Sequence, residues 1–158
     1  MEDLRRIKIQ FLPSLWLLFL LIECIEKPLV IVSKNTPGET ISNYFDAVNS
    51  EELAALDRAF HQPIVVLMGE ERLVFEKYTD MVDFDIIKAS GWSYSEINDT
   101  NLLYEDSNTA MIHVNFSRYK EDDSVLTTQD FTYLLVADSV GWKLKAAFSS
   151  GEIVLGNG

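Results

Sequence analysis

Residues 109–119, with the sequence TAMIHVNFSRY, decide how this chain folds. Apolar side chains occupy alternate positions, so that Ile112, Val114 and Phe116 share one face and His113 lies on the other. A strand with this two-residue period buries one face and leaves the other in contact with water. The stretch therefore predicts a β-strand whose apolar face must be covered by other parts of the chain.

Three further segments repeat this pattern, and all of them are rich in β-branched and aromatic residues. They are residues 92–104, 125–137 and 141–148. Short polar stretches, such as Asp106-Ser107-Asn108, separate the segments, and residues of this kind favour tight turns. Four long strands joined by short turns predict an antiparallel meander.

The residues that precede the meander follow a helical period instead. Thr36 can serve as an N-cap, Pro37 as the first helical residue and Glu39 as the reciprocal partner in a capping box. Apolar residues then recur at helical spacing, at Ile41, Tyr44, Phe45 and Val48. This pattern predicts an amphipathic helix with one face on the core.

Two more helices and a hairpin are predicted between this helix and the meander. Ser50 is expected to cap a second helix that runs to Phe60, and Pro63 is expected to end the helical region. A hairpin that turns at Gly69 follows, and residues 76–89 are predicted to form a third helix. Because an apolar sheet face must be buried, helices followed by an antiparallel sheet predict a two-layer α+β domain.

The composition restricts the possible functions. The formal net charge of −12 over 158 residues repels phosphate backbones, so we expect no nucleic-acid partner. Cys24 is the only cysteine, which excludes an intrachain disulfide and a cysteine-based zinc site. His61 and His113 lack the close spacing of a helical metal-ligand pair. The sequence therefore predicts no metal site, and we expect no cofactor.

Residues 1–35 differ from the rest of the chain, because basic residues precede an apolar run at 11–22. That order matches a secretory signal peptide, and the run is shorter than the about 20 residues that span a bilayer. The alternatives are an uncleaved membrane anchor and a start-site artefact. We expect an exported or anchored protein if this leader is real, with membrane contact through 11–22 only, and a cytoplasmic protein otherwise. A domain at 36–150 and a flexible tail at 151–158 would follow.

Three short segments, taken in order, carry a family resemblance. They are the capped helix Glu39-x-Ile41-x-x-Tyr44-Phe45, the segment Phe60-His61-x-Pro63, and Gly141-Trp142-Lys143-Leu144 on the last strand. Over residues 36–150 this order resembles the nuclear transport factor 2-like superfamily, which includes SnoaL-like polyketide cyclases and ketosteroid-isomerase-like proteins. The resemblance implies a cone-shaped, cystatin-like roll, in which a strongly curved mixed or antiparallel sheet wraps the helices around a pocket. It also implies a homodimer formed through the outer sheet face.

Three titratable residues are candidates for acid–base catalysis in such a pocket: His61, His113 and Asp130. Strand alternation favours His113 on the outer face of the sheet and Asp130 on the surface, where Arg118 could pair with it across the strands. A local bulge would instead turn His113 into the cavity. His61 is expected to cap the second helix or to line the pocket mouth.

Five aromatic residues are predicted to wall an apolar ligand site. They are Tyr44, Trp92, Phe116, Phe131 and Trp142. Their spacing follows the period of the secondary structure, which core packing alone would also produce. A binding role and a purely structural role therefore both remain open for these residues.

Three functions fit these observations. The first is a binding module with an apolar pocket for a small apolar ligand and no catalytic set. The second is an isomerase, cyclase or dehydratase that acts on a small apolar carbonyl compound. The third is a dimeric protein-interaction module. A titratable group inside the cone would favour the second, and an apolar patch on the outer sheet face would favour the third.

Overall fold

This computed structural model describes residues 35–151, 153 and 155. Apart from residue 35, the predicted leader at 1–35 lies outside the described residues, and so does most of the predicted tail at 151–158. Among the residues that the structure describes, no helix is both long and apolar enough to cross a membrane.

In the described part of the chain, four helices precede or interrupt the sheet. They are α1 (Pro37–Asn49), α2 (Leu53–Ala59), α3 (Tyr78–Met81) and α4 (Phe84–Ala89). The predicted capping box of α1 is present: the Thr36 hydroxyl accepts from the Glu39 N–H at 3.1 Å, and the Glu39 carboxylate accepts from the Thr36 N–H at 2.7 Å. The first helix therefore begins where its sequence predicts.

The predictions for the later helices need correction. Ser50 does not cap α2, since its backbone N–H closes the end of α1 on Asp46 and no side chain caps α2. The predicted third helix is divided into α3 and α4, because the Asp83 carboxylate accepts from the N–H groups of Asp85 and Ile86 and starts a new helix. An aspartate at such a position competes with continuous helical hydrogen bonding.

Six strands form one sheet in the order β2-β1-β6-β5-β4-β3. They are β1 (Phe60–Met68), β2 (Glu71–Phe75), β3 (Tyr94–Glu105), β4 (Thr109–Tyr119), β5 (Val125–Ala137) and β6 (Trp142–Ser149). The predicted meander from β3 to β6 is confirmed, with every consecutive pair antiparallel. The predicted hairpin is also confirmed, but β1 begins at Phe60 and therefore includes Pro63.

The hairpin joins the meander through a parallel pairing of β1 with β6, which makes the sheet mixed. The helices lie N-terminal to most of this sheet, and the arrangement matches the α+β cone fold that the resemblance implied. Register shifts interrupt several strand pairs, and such bulges increase the local bend of a sheet. The Asn49 side chain ties the end of α1 to β3 through two 2.8 Å hydrogen bonds with the Ser95 backbone.

Candidate functional site

A small cavity of about 50 Å³ lies between the helices and the inner face of the sheet. Its helical wall consists mainly of apolar and aromatic side chains from α1, α3 and α4: Tyr44, Phe45, Val48, Tyr78, Met81, Phe84 and Ile87. The sheet contributes apolar and aromatic residues from four strands: Phe60, Val66, Phe116, Phe131, Tyr133 and Ala147. The rings meet mostly edge to face, as in the 5.1 Å contact of Phe45 with Phe116. Such contacts give a closely packed, apolar enclosure.

Arg118 brings a positive charge to this apolar wall. The residue is 8% exposed and lies on β4, where the alternation of Ile112, Val114 and Phe116 continues to Arg118 on the same inner face. The predicted ion pair between Arg118 and Asp130 is therefore wrong, because Asp130 is exposed on the opposite face of the sheet. The two-residue period of β4 already indicated that Arg118 lies on the inner face, and the predicted surface ion pair overlooked this position.

Three tyrosines line the cavity together with Arg118, and burial raises the pKa of two of them, Tyr78 and Tyr133, well above the ordinary value of 10.0. Burial also raises the pKa of Tyr44, although part of this residue reaches the surface. The Tyr44 ring packs edge to face on those of Tyr78 and Tyr133, with centroids 6.1 and 5.9 Å apart. Burial lowers the pKa of Arg118 as well, but a guanidinium stays protonated in proteins. At neutral pH the described lining of the cavity therefore includes one cation and three neutral phenol groups.

Two further polar groups in the wall form a hydrogen bond with each other. The Trp92 indole N–H donates to the Ser95 hydroxyl at 2.9 Å, and both residues line the cavity. Ser95 is also the register partner of Arg118 on the neighbouring strand. This hydrogen bond fixes the orientation of the Trp92 ring on the wall.

The C-terminal segment contributes to the enclosure. Ile153 and Leu155, which belong to the predicted tail, pack against the core and line the cavity. The Asp83 backbone N–H donates to the Leu155 carbonyl at 3.1 Å, which ties this segment to the start of α4. These two side chains therefore form part of the cover of the cavity.

The five aromatic residues predicted for a ligand site are not all placed together. Tyr44, Trp92, Phe116 and Phe131 line the cavity, and Trp142 does not. Trp142 pairs with Ala137 at the start of β6, next to the β5–β6 turn, whereas the cavity contacts β6 farther along, at Ala147. Distance along β6 therefore separates Trp142 from the other four residues.

Two of the three candidate catalytic residues lie together on the outer face of the sheet. His113 Nε2 is 3.2 Å from Asp130 Oδ1, and the Asn115 amide donates to the same oxygen at 2.9 Å. Asn98 donates to Asn115 at 2.8 Å and extends the network onto β3. Neither His113 nor Asp130 lines the cavity on the inner face.

His61 is also separate from the cavity and does not cap α2 as expected. It is the second residue of β1 and is exposed. Its carbonyl and that of Pro63 accept hydrogen bonds from Lys145 Nζ at 3.4 and 2.9 Å. The chain is already extended at His61, because β1 begins directly after Ala59, and the imidazole Nδ1 lies 3.5 Å from Lys145 Nζ.

No group of three or more histidine, cysteine, aspartate or glutamate side chains could hold a metal ion in the part of the chain that the structure describes. The cavity wall itself offers a guanidinium, hydroxyl groups and aromatic faces. Such groups bind ligands through hydrogen bonds and apolar contact.

The chain belongs to the NTF2-like protein family DUF6841, whose family model matches residues 37–152. A search of curated proteins finds no match. The family membership agrees with the resemblance to the nuclear transport factor 2-like superfamily, and the matched residues include all the helices and strands described above.

Solved structures share the fold at low sequence identity. An NTF2-like protein of unknown function from Shewanella oneidensis is 13% identical, with a TM-score of 0.56 over 72% of this chain and 94% of its own. A candidate ketosteroid isomerase from Shewanella frigidimarina is 10% identical, with a TM-score of 0.55 over 72% and 93%. A candidate dehydratase from Streptomyces avermitilis is 11% identical, with a TM-score of 0.51 over 74% and 94%. The fold is thus compatible with ligand binding and with isomerase or dehydratase chemistry.

Proposed function

We propose that this domain binds a small, largely apolar ligand in the cavity between its helices and its sheet. The observation that carries the proposal is the cavity wall, in which aromatic and aliphatic side chains enclose a few polar groups. Sites for small molecules commonly combine an apolar lining with a small number of oriented polar groups.

The size of the cavity defines how a ligand would fit. At about 50 Å³ the enclosed space is far below the roughly 300–1,000 Å³ of drug-sized pockets, but it exceeds the roughly 10–15 Å³ that one water needs. It can hold a compact group of a few heavy atoms. A larger ligand would require movement of the cover, to which Ile153 and Leu155 contribute.

Thermal unfolding of the full-length protein with compact neutral compounds of a few heavy atoms, such as acetone and isobutyramide, tests the proposal. Ligands that bind only the folded state raise the melting temperature. The variant Ala147→Met fills the cavity from its wall and should remove this rise. Ala146→Met is a matched control, since Ala146 is equally buried and does not line the cavity. Equal responses of the wild type and both variants would refute the proposal.

The enzymatic alternative has less support from the geometry. Isomerases and dehydratases that act on carbonyl compounds need a proton-accepting group beside the substrate. His61, His113 and Asp130 do not line the cavity, and the described lining residues include no carboxylate and no imidazole. Catalysis by these three residues inside the cavity is therefore not part of the proposal.

A homodimer is a separate proposal, favoured by the exposed apolar end of β3. Leu102, Leu103 and Tyr104 are each about half exposed, and β3 is an edge strand of the sheet. Exposed apolar patches and free strand edges commonly mark protein interfaces. Sedimentation of the wild type and of Leu103→Asp tests this assignment. A monomer at all concentrations would refute it, and a dimer that the substitution dissociates would support it.

A further inference from the structure

The cover of the cavity differs from the rest of the lining in how firmly it is held. Ile153 and Leu155 follow the last strand and belong to no helix or strand among the described residues. Both are only partly buried, whereas Met81 and Val82 of the same lining are 3% and 5% exposed. Partial burial gives a side chain less hydrophobic stabilisation than full burial, and ordering its backbone costs entropy. The cover is therefore expected to open more readily than the rest of the wall.

The chain also has a hinge in front of the cover. Ser150 and Gly151 form an exposed bend between β6 and Ile153. Glycine adopts more backbone conformations than other residues, and neither of these two exposed residues is held in the core. Beyond the hinge, the Leu155 carbonyl accepts the 3.1 Å hydrogen bond from the Asp83 N–H. A rotation at the hinge that breaks this bond would carry Ile153 and Leu155 out of the wall together.

The cover lies outside the part of the chain that the family model matches. That match ends at residue 152, and the other described lining residues, from Tyr44 to Ala147, all lie within it. Ile153 and Leu155 both line the cavity, so their withdrawal would add the space of two aliphatic side chains to an enclosed volume of about 50 Å³. The surface exposed in this way is the one on which leucine and isoleucine side chains pack. Its shape and polarity therefore suit an aliphatic chain.

We propose that Ile153 and Leu155 occupy part of the ligand site, and that an aliphatic ligand too long for the closed cavity binds by displacing them. This inference rests on the proposed binding function and names its ligand class, a compound with an extended alkyl chain. The ligand and the cover compete for one apolar surface. The apparent affinity for the ligand therefore depends on the fraction of molecules in which the cover is open.

A fixed cover is the competing explanation. In that case Ile153 and Leu155 would be ordinary wall residues, and every ligand would bind behind them. The two explanations differ in the exchange of the Asp83 backbone N–H with solvent deuterium, because this N–H bonds to the Leu155 carbonyl only while the cover is closed. A ligand enclosed behind the cover slows this exchange, and a ligand that displaces the cover accelerates it.

Amide exchange of the full-length protein, followed by nuclear magnetic resonance with and without octan-1-ol, measures this difference. Octan-1-ol exceeds the few heavy atoms that the closed cavity can hold. At saturation it should accelerate exchange of the Asp83 N–H about 10-fold or more, whereas isobutyramide, which fits the closed cavity, should slow it. The Ile87 N–H, which donates to the Asp83 carbonyl at 3.0 Å, is the control for loosening of α4 and should not accelerate.

Substitutions at Leu155 test the competition by calorimetric titration. Leu155→Asp should keep the cover open, because burying a carboxylate in an apolar wall is costly, and should tighten octan-1-ol binding about 10-fold. It should weaken isobutyramide binding, since the small cavity is then no longer enclosed. Leu155→Met keeps an apolar side chain of similar size and should resemble the wild type. Val140→Asp is the matched control, because it adds the same charge at a 72% exposed site. The exchange measurement on the wild type does not depend on these variants.

The outcomes separate this inference from the binding function. Octan-1-ol that binds without accelerating Asp83 exchange, or that accelerates Ile87 exchange equally, would overturn the displacement and leave the binding function standing. Equal octan-1-ol affinity of the wild type and Leu155→Asp, or an equal gain in Val140→Asp, would overturn it too. So would the absence of octan-1-ol binding in a protein that binds isobutyramide. Failure of both compounds to bind the wild type would overturn both proposals.

Discussion

The inner and outer faces of β4 and β5 belong to the same strands and have opposite chemistry. On the inner face Phe116 and Tyr133 are each 4% exposed and line the cavity. On the outer face Asn115 and Asp130 form hydrogen bonds in contact with water. One residue along a strand is enough to move a side chain from one environment to the other. Proximity in sequence to an apolar stretch therefore says little about proximity to the cavity.

The largest contrast is expected from neighbouring substitutions on β4. Phe116→Ala should lower the free energy of unfolding by about 3–5 kcal/mol, because it removes a buried ring that contacts Phe45 and Phe131. Asn115→Ala should cost less than about 1 kcal/mol, since its hydrogen bonds lie at an exposed surface. Urea denaturation of both variants measures the difference. Similar losses would contradict the assignment of the two faces.

The next largest effect is expected at alkaline pH, where the buried tyrosines of the cavity wall ionise. Burial raises the pKa of Tyr78 and Tyr133, whereas the same residues in the unfolded chain ionise near pH 10. The folded state therefore favours the protonated form. The free energy of unfolding should not respond to these groups below about pH 10 and should fall as the pH rises above it.

Tyrosinate absorbance and circular dichroism, followed together against pH, check this expectation. The last tyrosines to ionise should do so only as the protein unfolds, and Tyr133→Phe should reduce the size of that late phase. Complete ionisation of all tyrosines in a folded protein would show that Tyr78 and Tyr133 are accessible to water.

The cover of the cavity should give a smaller effect. Leu155→Ala should cost about 1–2 kcal/mol, because Leu155 is only partly buried where it packs on the core. It should also admit larger apolar probes, since the side chain forms part of the wall. Urea denaturation and the thermal shift with a naphthalene-sized probe measure the two effects. Val140→Ala is a control, because Val140 is 72% exposed.

The smallest effect is expected from the charged pair on the outer face. The side chains of His113 and Asp130 are 38% and 59% exposed, so water screens their interaction. A double-mutant cycle with His113→Ala and Asp130→Ala should give a coupling energy below about 1 kcal/mol. A coupling energy of several kcal/mol would show that this pair is desolvated, as it would be at a subunit interface.

The parts of the fold that depend on local pattern were predictable from the sequence. The bounds predicted for the strand at 109–119 agree with those of β4, and the capping box at Thr36 and Glu39 starts α1. The division of the third helix at Asp83 was not predicted, because apolar spacing continues across it and gives no sign of the side-chain cap. Local hydrogen bonding thus overrode a periodic pattern.

The candidate site was predictable only in part. Four of the five aromatic residues proposed for a ligand site line the cavity. Strand alternation places Phe116 and Phe131 on the inner face, and the helical period of α1 turns Tyr44 toward the sheet. The titratable candidates were selected for their chemistry, and the structure places His61, His113 and Asp130 away from the cavity. Arg118 was first interpreted as a surface cation, although its position in the alternation of β4 already indicated the inner face.

The amino-acid sequence by itself determined the order of helices and strands and the face on which most strand residues lie, because these follow from backbone hydrogen bonding and apolar period. Tertiary structure decided which of those faces meet. The parallel pairing of β1 with β6 and the packing of Ile153 and Leu155 on the core join residues far apart in the chain. Contacts of this kind depend on shape and burial in three dimensions. They enclose the cavity that Arg118 and three tyrosines line, and this cavity is the candidate binding site.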